Sequence, residues 1–282
     1  MIPLDMVLVG VVFYSLLALT LIVKDERKKL LEKTWQEWVV DISGLMMQGV
    51  VVPLAKSLII IQGLIFLWPA AQSSVELNGF VAFLLAFVLV DYLYYWNHRC
   101  LHSDLLWPIH SLHHTPQHMD LTITSRNMLW TPILIVYIWA HSFFFYILKD
   151  PTPYLWGVAL TAALDLWRHT NFCPDGLFHL AKIGGLITPR DHKWHHASGG
   201  NGTNFGANLN VWDRLHSTFQ QDSDAPKSVG IPTNISLSDL FIYSGRLQAA
   251  YGCRNDAKED SHLVPTNTLK LLEQPNNRGN HV

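Results

Sequence analysis

Long apolar runs separated by short polar breaks organise this chain, and the runs have the length of helices rather than strands. Residues 6–23, MVLVGVVFYSLLALTLIV, hold eighteen positions without a charge, enough for a helix to cross a bilayer. The cluster KDERKK follows at once. By the positive-inside bias that end is cytoplasmic, which puts the N-terminus outside. No basic segment precedes the run and no small-residue cleavage site follows it, so it reads as a permanent helix and not a removable signal.

Residues 39–69 are apolar but carry Asp41, Pro53 and Lys56. They fit one tilted crossing or a pair of short helices. LNGFVAFLLAFVLVDYLYYW (77–96) is a cleaner span with Asp91 as its only charge. Residues 128–148 and 151–164 predict a hairpin that leaves the membrane face and returns, its second arm short for a full crossing. With one crossing for 39–69, the parity brings residues from 98 and residues 167–220 to the same, cytoplasmic face. The predicted architecture is all-α, a polytopic integral membrane helical bundle of about four to five membrane helices. The predicted units are N-terminal membrane helices (1–76), a second helical unit (77–220) and a polar, partly disordered C-terminal tail (221–282), with one amphipathic stretch at 237–251.

Composition agrees with a membrane setting. Half of the 282 residues are apolar and only 15% are charged, against roughly a quarter in soluble domains. The net charge of −2 offers no basic field for nucleic acid. Cys100, Cys173 and Cys253 are too widely spaced for a zinc pair or a disulfide framework and read as free thiols in a reducing compartment. The sequons at Asn201 and Asn234 fall on the cytoplasmic side of this topology and go unused.

Histidine changes the picture. Nine of the fifteen lie in 98–118 and 192–196, eight of them in the segments HRCLHSDLLWPIHSLHH (98–114) and HKWHH (192–196). His98 and His102 are spaced i, i+4; His110, His113 and His114 are spaced i, i+3, i+4, and so are His192, His195 and His196. Such spacings let each set aim two or three imidazoles at a common point from one or two helical turns. Neutral imidazole ligates iron, zinc, copper or nickel. A lone H-x-x-x-H is common by chance, but three sets on one membrane face are not. Eight ligands exceed one tetrahedral zinc and suit two ions. H-E-x-x-H is absent, and carboxylates do not cluster with the histidines, which disfavours a zinc protease or a hard-ion site. GGNGTNFG (199–206) lacks the lysine of a phosphate loop and reads as a turn.

The segments DYLYYWNHRCLH, WPIHSLHHTP, TPRDHKWHH and NFGANLNVWDRL, in that order over roughly residues 80–220, resemble the integral-membrane fatty acid hydroxylase and sterol desaturase superfamily. The resemblance implies a cytosolic histidine-lined di-metal cap, taken to hold two iron ions with zinc as a substitute. It also implies a reaction in which O2 and two electrons hydroxylate or desaturate a lipid. It adds His169, in RHTNF, as a ninth ligand beside His98, His102, His110, His113, His114, His192, His195 and His196. Asp91 matches an acidic position of the family. Asn171, Asp191, Asn204 and Asp213 fit roles in orienting imidazoles or fixing loops. LHSTF (215–219) departs from the family's Phe-Gly-Thr ending, so His216 takes an aromatic position. His118, His141 and His179 are read as non-ligands.

The chain has no dinucleotide fingerprint, iron–sulfur cysteine set or haem-attachment motif. Electrons are therefore expected from an external donor, a ferredoxin or cytochrome b5 with its reductase, and the remaining partner is a membrane lipid. The expected location is a bacterial inner membrane, or the endoplasmic reticulum in a eukaryote. The competing class is a non-catalytic metal-binding membrane protein, a transporter or sensor. Ligands at the ends of the spans and not within them weigh against a transport path.

Overall fold

The computed structural model describes residues 4–198, 202–220, 225–231 and 236–240. Asn201, Asn234, Cys253, most of the 237–251 stretch and the remaining tail lie outside them. Among the described residues the fold is all-helical, with isolated bridges in place of strands.

Helix α1 (Leu4–Ile22) ends where the charges begin. Helix α2 (Lys24–Leu31) turns away from it by 98°, with Asp25 and Glu26 in its first turn and Lys28 and Lys29 in its last, each sign complementing the helix dipole. A capping box between Thr34 and Glu37 starts the next helix. This helix, α3, runs unbroken over Trp35–Leu67 and settles residues 39–69 as one helix, not two. Pro53 cannot donate to the Gly49 carbonyl. Wider π turns at Met47–Val51 and Lys56–Ile60 on either side of it absorb the fault without a break. The most apolar window of α3 has none of its residues buried, as suits a helix whose solvent is lipid.

Helix α4 (Gly79–Leu101) is N-capped by Asn78. Helices α5 (Val136–Ile147) and α6 (Thr152–Arg168) follow. Helix α6 packs against α1 and the first half of α4. A Cβ on Gly157 would lie 2.8 Å from that of Ala86, so glycine permits this approach. Helices α3 and α4 are long and apolar enough to cross a membrane, and the bent α1–α2 pair makes a third if taken as one span. Among the described residues, length and composition alone thus qualify two or three spans, beside the four to five membrane helices expected. The predicted hairpin is real but uneven: α5 has 12 residues, because the 3-10 turn Thr131–Leu134 at Pro132 takes up the start of its run, and α6 has 17.

The segment 102–126 folds back against α3 as short turns. A Cβ on Gly44 would fall 2.0 Å from the Ser125 carbonyl oxygen. Beside this contact the Arg126 guanidinium donates through Nε and Nη2 to Asp41, and Lys33 bridges Asp41 (2.8 Å) and Asp120 (2.6 Å). Helices α7 (Asp175–Ile183), α8 (Pro189–His195) and α9 (Val211–Leu215) complete the cap.

Candidate metal centre

Four local devices deliver the histidines. The last turn of α4 carries His98, and His102 caps that helix. Pro108 opens the turn Trp107–His110, where its missing N–H costs nothing, and a 3-10 turn Ser111–His114 continues it. His169 caps α6. Helix α8 starts on a capping box between Thr188 and Asp191 with Pro189 at its first position; it carries His192 and His195 and ends on His196.

These residues form two adjoining groups. His98, His102, His110, His114 and His195 make one; His113, His169, His192 and His196 make the other. Within each, one ligand atom per residue lies within 4.8 Å of all the others. The three sequence clusters do not each converge on one point, as their spacing suggested. Positions i and i+4 stay together (His110 with His114, His192 with His196), while the i+3 residues His113 and His195 cross to the opposite group. Within α8 a step of three residues turns the helix about 300° and a step of four about 400°, so His195 and His196 point to different sides.

The groups are preset to present bare nitrogens. His98 Nδ1 lies 2.9 Å from the Phe205 carbonyl, His195 Nδ1 2.8 Å from that of Thr203, and His169 Nδ1 2.8 Å from that of Asp165. A carbonyl only accepts, so each Nδ1 carries the proton and each Nε2 keeps a lone pair. In the four-histidine group, His169 Nε2 stands 3.0 Å from His192 Nε2 and 3.4 Å from His113 Nε2, and His196 Nε2 stands 3.2 Å from His192 Nε2. Imidazole nitrogens bound to one ion at ordinary metal–nitrogen lengths stand roughly 3.3 Å apart. His102 Nε2, His114 Nε2 and His110, His192 and His196 Nδ1 are buried without a hydrogen-bond partner, a costly state for polar atoms. Convergence and unmet nitrogens together fit a metal.

Burial, and then repulsion between neighbouring imidazoles, holds His102, His110, His114, His192 and His196 well below the ordinary histidine range, and the same causes act on His113. They are neutral, the form that ligates. Among the described residues no carboxylate joins either group.

The polar residues expected to orient imidazoles act mostly through the loop at 203–209. Asp91 accepts from the backbone N–H of Asn208 and Leu209 and from Trp212 Nε1. Asp213 accepts from the N–H of Phe205 and Gly206 and from Thr218 Oγ1. Asn204, at φ 55°, donates to the Asp191 and Gln220 carbonyls. Asp191 serves the start of α8 and pairs with Lys182. Asn171 donates to Glu26 and to the Met119 carbonyl, tying α2 to the cap. His118 and His179 are exposed. His216 stacks on Tyr95 and lies 3.2 Å from the Tyr92 hydroxyl; His141 lies 2.7 Å from the Tyr154 hydroxyl.

Sequence reasoning missed Asp165 and Arg168. Asp165 holds His169 through its carbonyl and pairs with Arg168, whose guanidinium also donates to the Ala207 carbonyl. The i, i+4 pair Asp165–His169 in DLWRH was the available signal. The Thr203 and Phe205 carbonyls left none, since any residue supplies one.

Residues 83–218 match the family model described as fatty acid hydroxylase. The ornithine lipid hydroxylase OlsE of Rhizobium tropici is 32% identical over 164 residues, 56% of this chain and 47% of that protein. The alkylglycerol monooxygenase of Danio rerio is 31% identical over 147 residues, 50% of this chain and 31% of its own length. A very-long-chain aldehyde decarbonylase of Oryza sativa subsp. indica is 26% identical over 184 residues, 58% of this chain and 28% of its own length. The chain thus spans less than half the length of these curated relatives, and no solved structure matches it. Residues 83–218, just under half of the chain, thus form a domain that matches the fatty acid hydroxylase family.

Proposed function

We propose that this chain is an O2-dependent, non-haem di-iron membrane oxidoreductase that hydroxylates a lipid, with desaturation as the alternative outcome at the same site. The observation that carries the reading is the pair of adjoining, all-imidazole groups of five and four residues. His98, His102, His110, His114 and His195 would hold one ion; His113, His169, His192 and His196 would hold the other. Two redox ions supply the oxidising power that acid–base side chains cannot bring to an unactivated C–H bond. The protein's own part is orientation and exclusion. Carbonyls of Thr203, Phe205 and Asp165 hold the donor tautomers, Asp91 and Asp213 hold the loop, and burial keeps bulk water from the imidazoles.

The lipid class is supported by relatives named for ornithine lipid and alkylglycerol. Electrons would come from a ferredoxin, or from cytochrome b5 with its reductase. In this reading the N-terminus lies outside and the histidine cap on the cytoplasmic face. Residues 1–76 anchor, 77–220 catalyse and 221–282 form a tail.

The test is lipid mass spectrometry on membranes of a host expressing the chain under labelled O2, with His192→Ala as control. One labelled oxygen gained only with the intact histidine identifies a hydroxylase and its lipid. Loss of two hydrogens identifies a desaturase. No oxygen-dependent change in two hosts supplied with both donor systems would replace this reading with the non-catalytic, metal-binding one.

A further inference from the structure

A cavity of about 730 Å³ lies beneath the cap, between α1, α3, α5 and α6, within the range of small-molecule sites. Its upper wall holds Thr124, Ser125 and Asp165, and Asp165 is the residue that holds His169. Its walls below are apolar: Phe13, Val52, Ile138 and Val158 among others. Gly49, Pro53 and Tyr14 line it and are exposed, so it opens sideways through the bundle. On α3 the lining runs from Leu45 to Lys56, eleven residues or roughly 16 Å along the axis. On α6 the lining runs from Val158 to Leu166, with Asp165 roughly 10 Å from Val158.

Lys56 ends this path and is its anomaly. It stands eleven residues before the end of α3 at Leu67, roughly 16 Å, too far for its side chain to reach the interface. Ionisable residues inside spans normally pair with one another or serve a function. Among the described residues no acidic side chain lies within ion-pair distance of Lys56. Asp165, on the same wall, is engaged by Arg168 and His169. His141 faces Lys56 from α5 but brings no negative charge, and its Nδ1 is engaged by Tyr154. The acceptor that Lys56 lacks must come from the occupant.

We propose that Lys56 selects the substrate: the cavity takes an extended aliphatic amphiphile whose acceptor oxygen meets Lys56, roughly 10–16 Å from the carbon presented beneath Asp165 and the histidines. This rests on the proposed oxygenase function, for which the cavity would hold the lipid. A purely hydrocarbon chain would fit the walls but leave the ammonium unmet, so discrimination is expected from one residue.

The experiment measures binding and needs neither metal nor O2, so its failure is distinct from failure of the oxygenase reading. The purified chain in nanodiscs is incubated with equal amounts of deuterated hexadecanoate and deuterated hexadecane, repurified, and its retained probes are quantified by mass spectrometry. Nanodiscs of the same lipid without protein report what the bilayer retains by itself. Native protein should retain hexadecanoate over hexadecane by about tenfold or more above that background. Lys56→Met should bring the ratio to about one without loss of hexadecane, and Lys56→Arg should restore it. An unchanged ratio in Lys56→Met, or equal retention in protein-loaded and empty nanodiscs, overturns the proposal.

Discussion

His195 and His196 are adjacent in sequence, yet their rings stand 5.3 Å apart at 83° and belong to different histidine groups. The two substitutions should therefore separate. His195→Ala leaves four imidazoles in its group, enough for tetrahedral ligation. His196→Ala leaves three. Iron per chain, measured on purified protein reconstituted with Fe(II), should stay near two for His195→Ala and fall towards one for His196→Ala. Equal losses would mean that the two groups do not act as separate sites.

Asp213 contacts no histidine in either group, but it should govern them. Its carboxylate takes the N–H groups of Phe205 and Gly206, and the Phe205 carbonyl in turn fixes the proton of His98. Asp213→Ala strands two buried donors, at about 1–3 kcal/mol each, and frees the carbonyl that orients His98. The expected result is a lower melting temperature and metal affinity weakened by about 10–100-fold, with ligand number unchanged. Titration with a competing chelator checks this. Asp213→Ala protein with native affinity would remove the loop from the account of the site.

Much of this was legible in the residues, and what was not has physical causes. Eight of the histidines could be named because imidazoles in helical spacing are costly unless they serve something, and His169 was added by the family resemblance alone. Their partition could not, because it depends on a 3-10 turn at Ser111–His114 and on how α8 faces that turn. The apolar run of α3 was visible, but Pro53 left one helix or two open until the π turns showed how a missing donor is absorbed. Asp165 was hidden because part of its work is done by its carbonyl.

Acid should separate the metal-free protein from the loaded one. His102, His110, His114, His192 and His196 sit well below the ordinary histidine range in the folded chain. The unfolded chain takes protons there first, near pH 6.5. Stability from these groups is thus intact above about pH 6.5 and lost as pH falls below it, each contributing up to about 1.4 kcal/mol per pH unit. Melting curves of chelator-stripped protein from pH 8 to 5 should drop steeply below that point, and metal-loaded protein should hold to lower pH. Parallel curves would show that the imidazoles are not the acid-sensitive groups.

A buried ion pair fastens the histidine cap to α3, and that junction should be a weak point of the fold. Arg126 and Asp41 are both fully buried and joined by two hydrogen bonds. Arg126 also reaches Thr115, next to His114. Removing one partner of such a pair strands the other charge, at about 3–5 kcal/mol. Arg126→Met should therefore cost far more stability than Glu37→Gln, whose carboxylate lies 3.9 Å from Arg126 and is partly exposed. Arg126→Lys should not rescue it, because a point ammonium cannot reproduce the planar fork. Gly44→Ala tests the same junction without touching charge, since its methyl group would collide with the Ser125 carbonyl. If the junction positions the histidines, both Gly44→Ala and Arg126→Met should lower iron content along with the melting temperature. A folded Gly44→Ala protein with two irons and a native melting temperature would show that the cap finds its place without this contact.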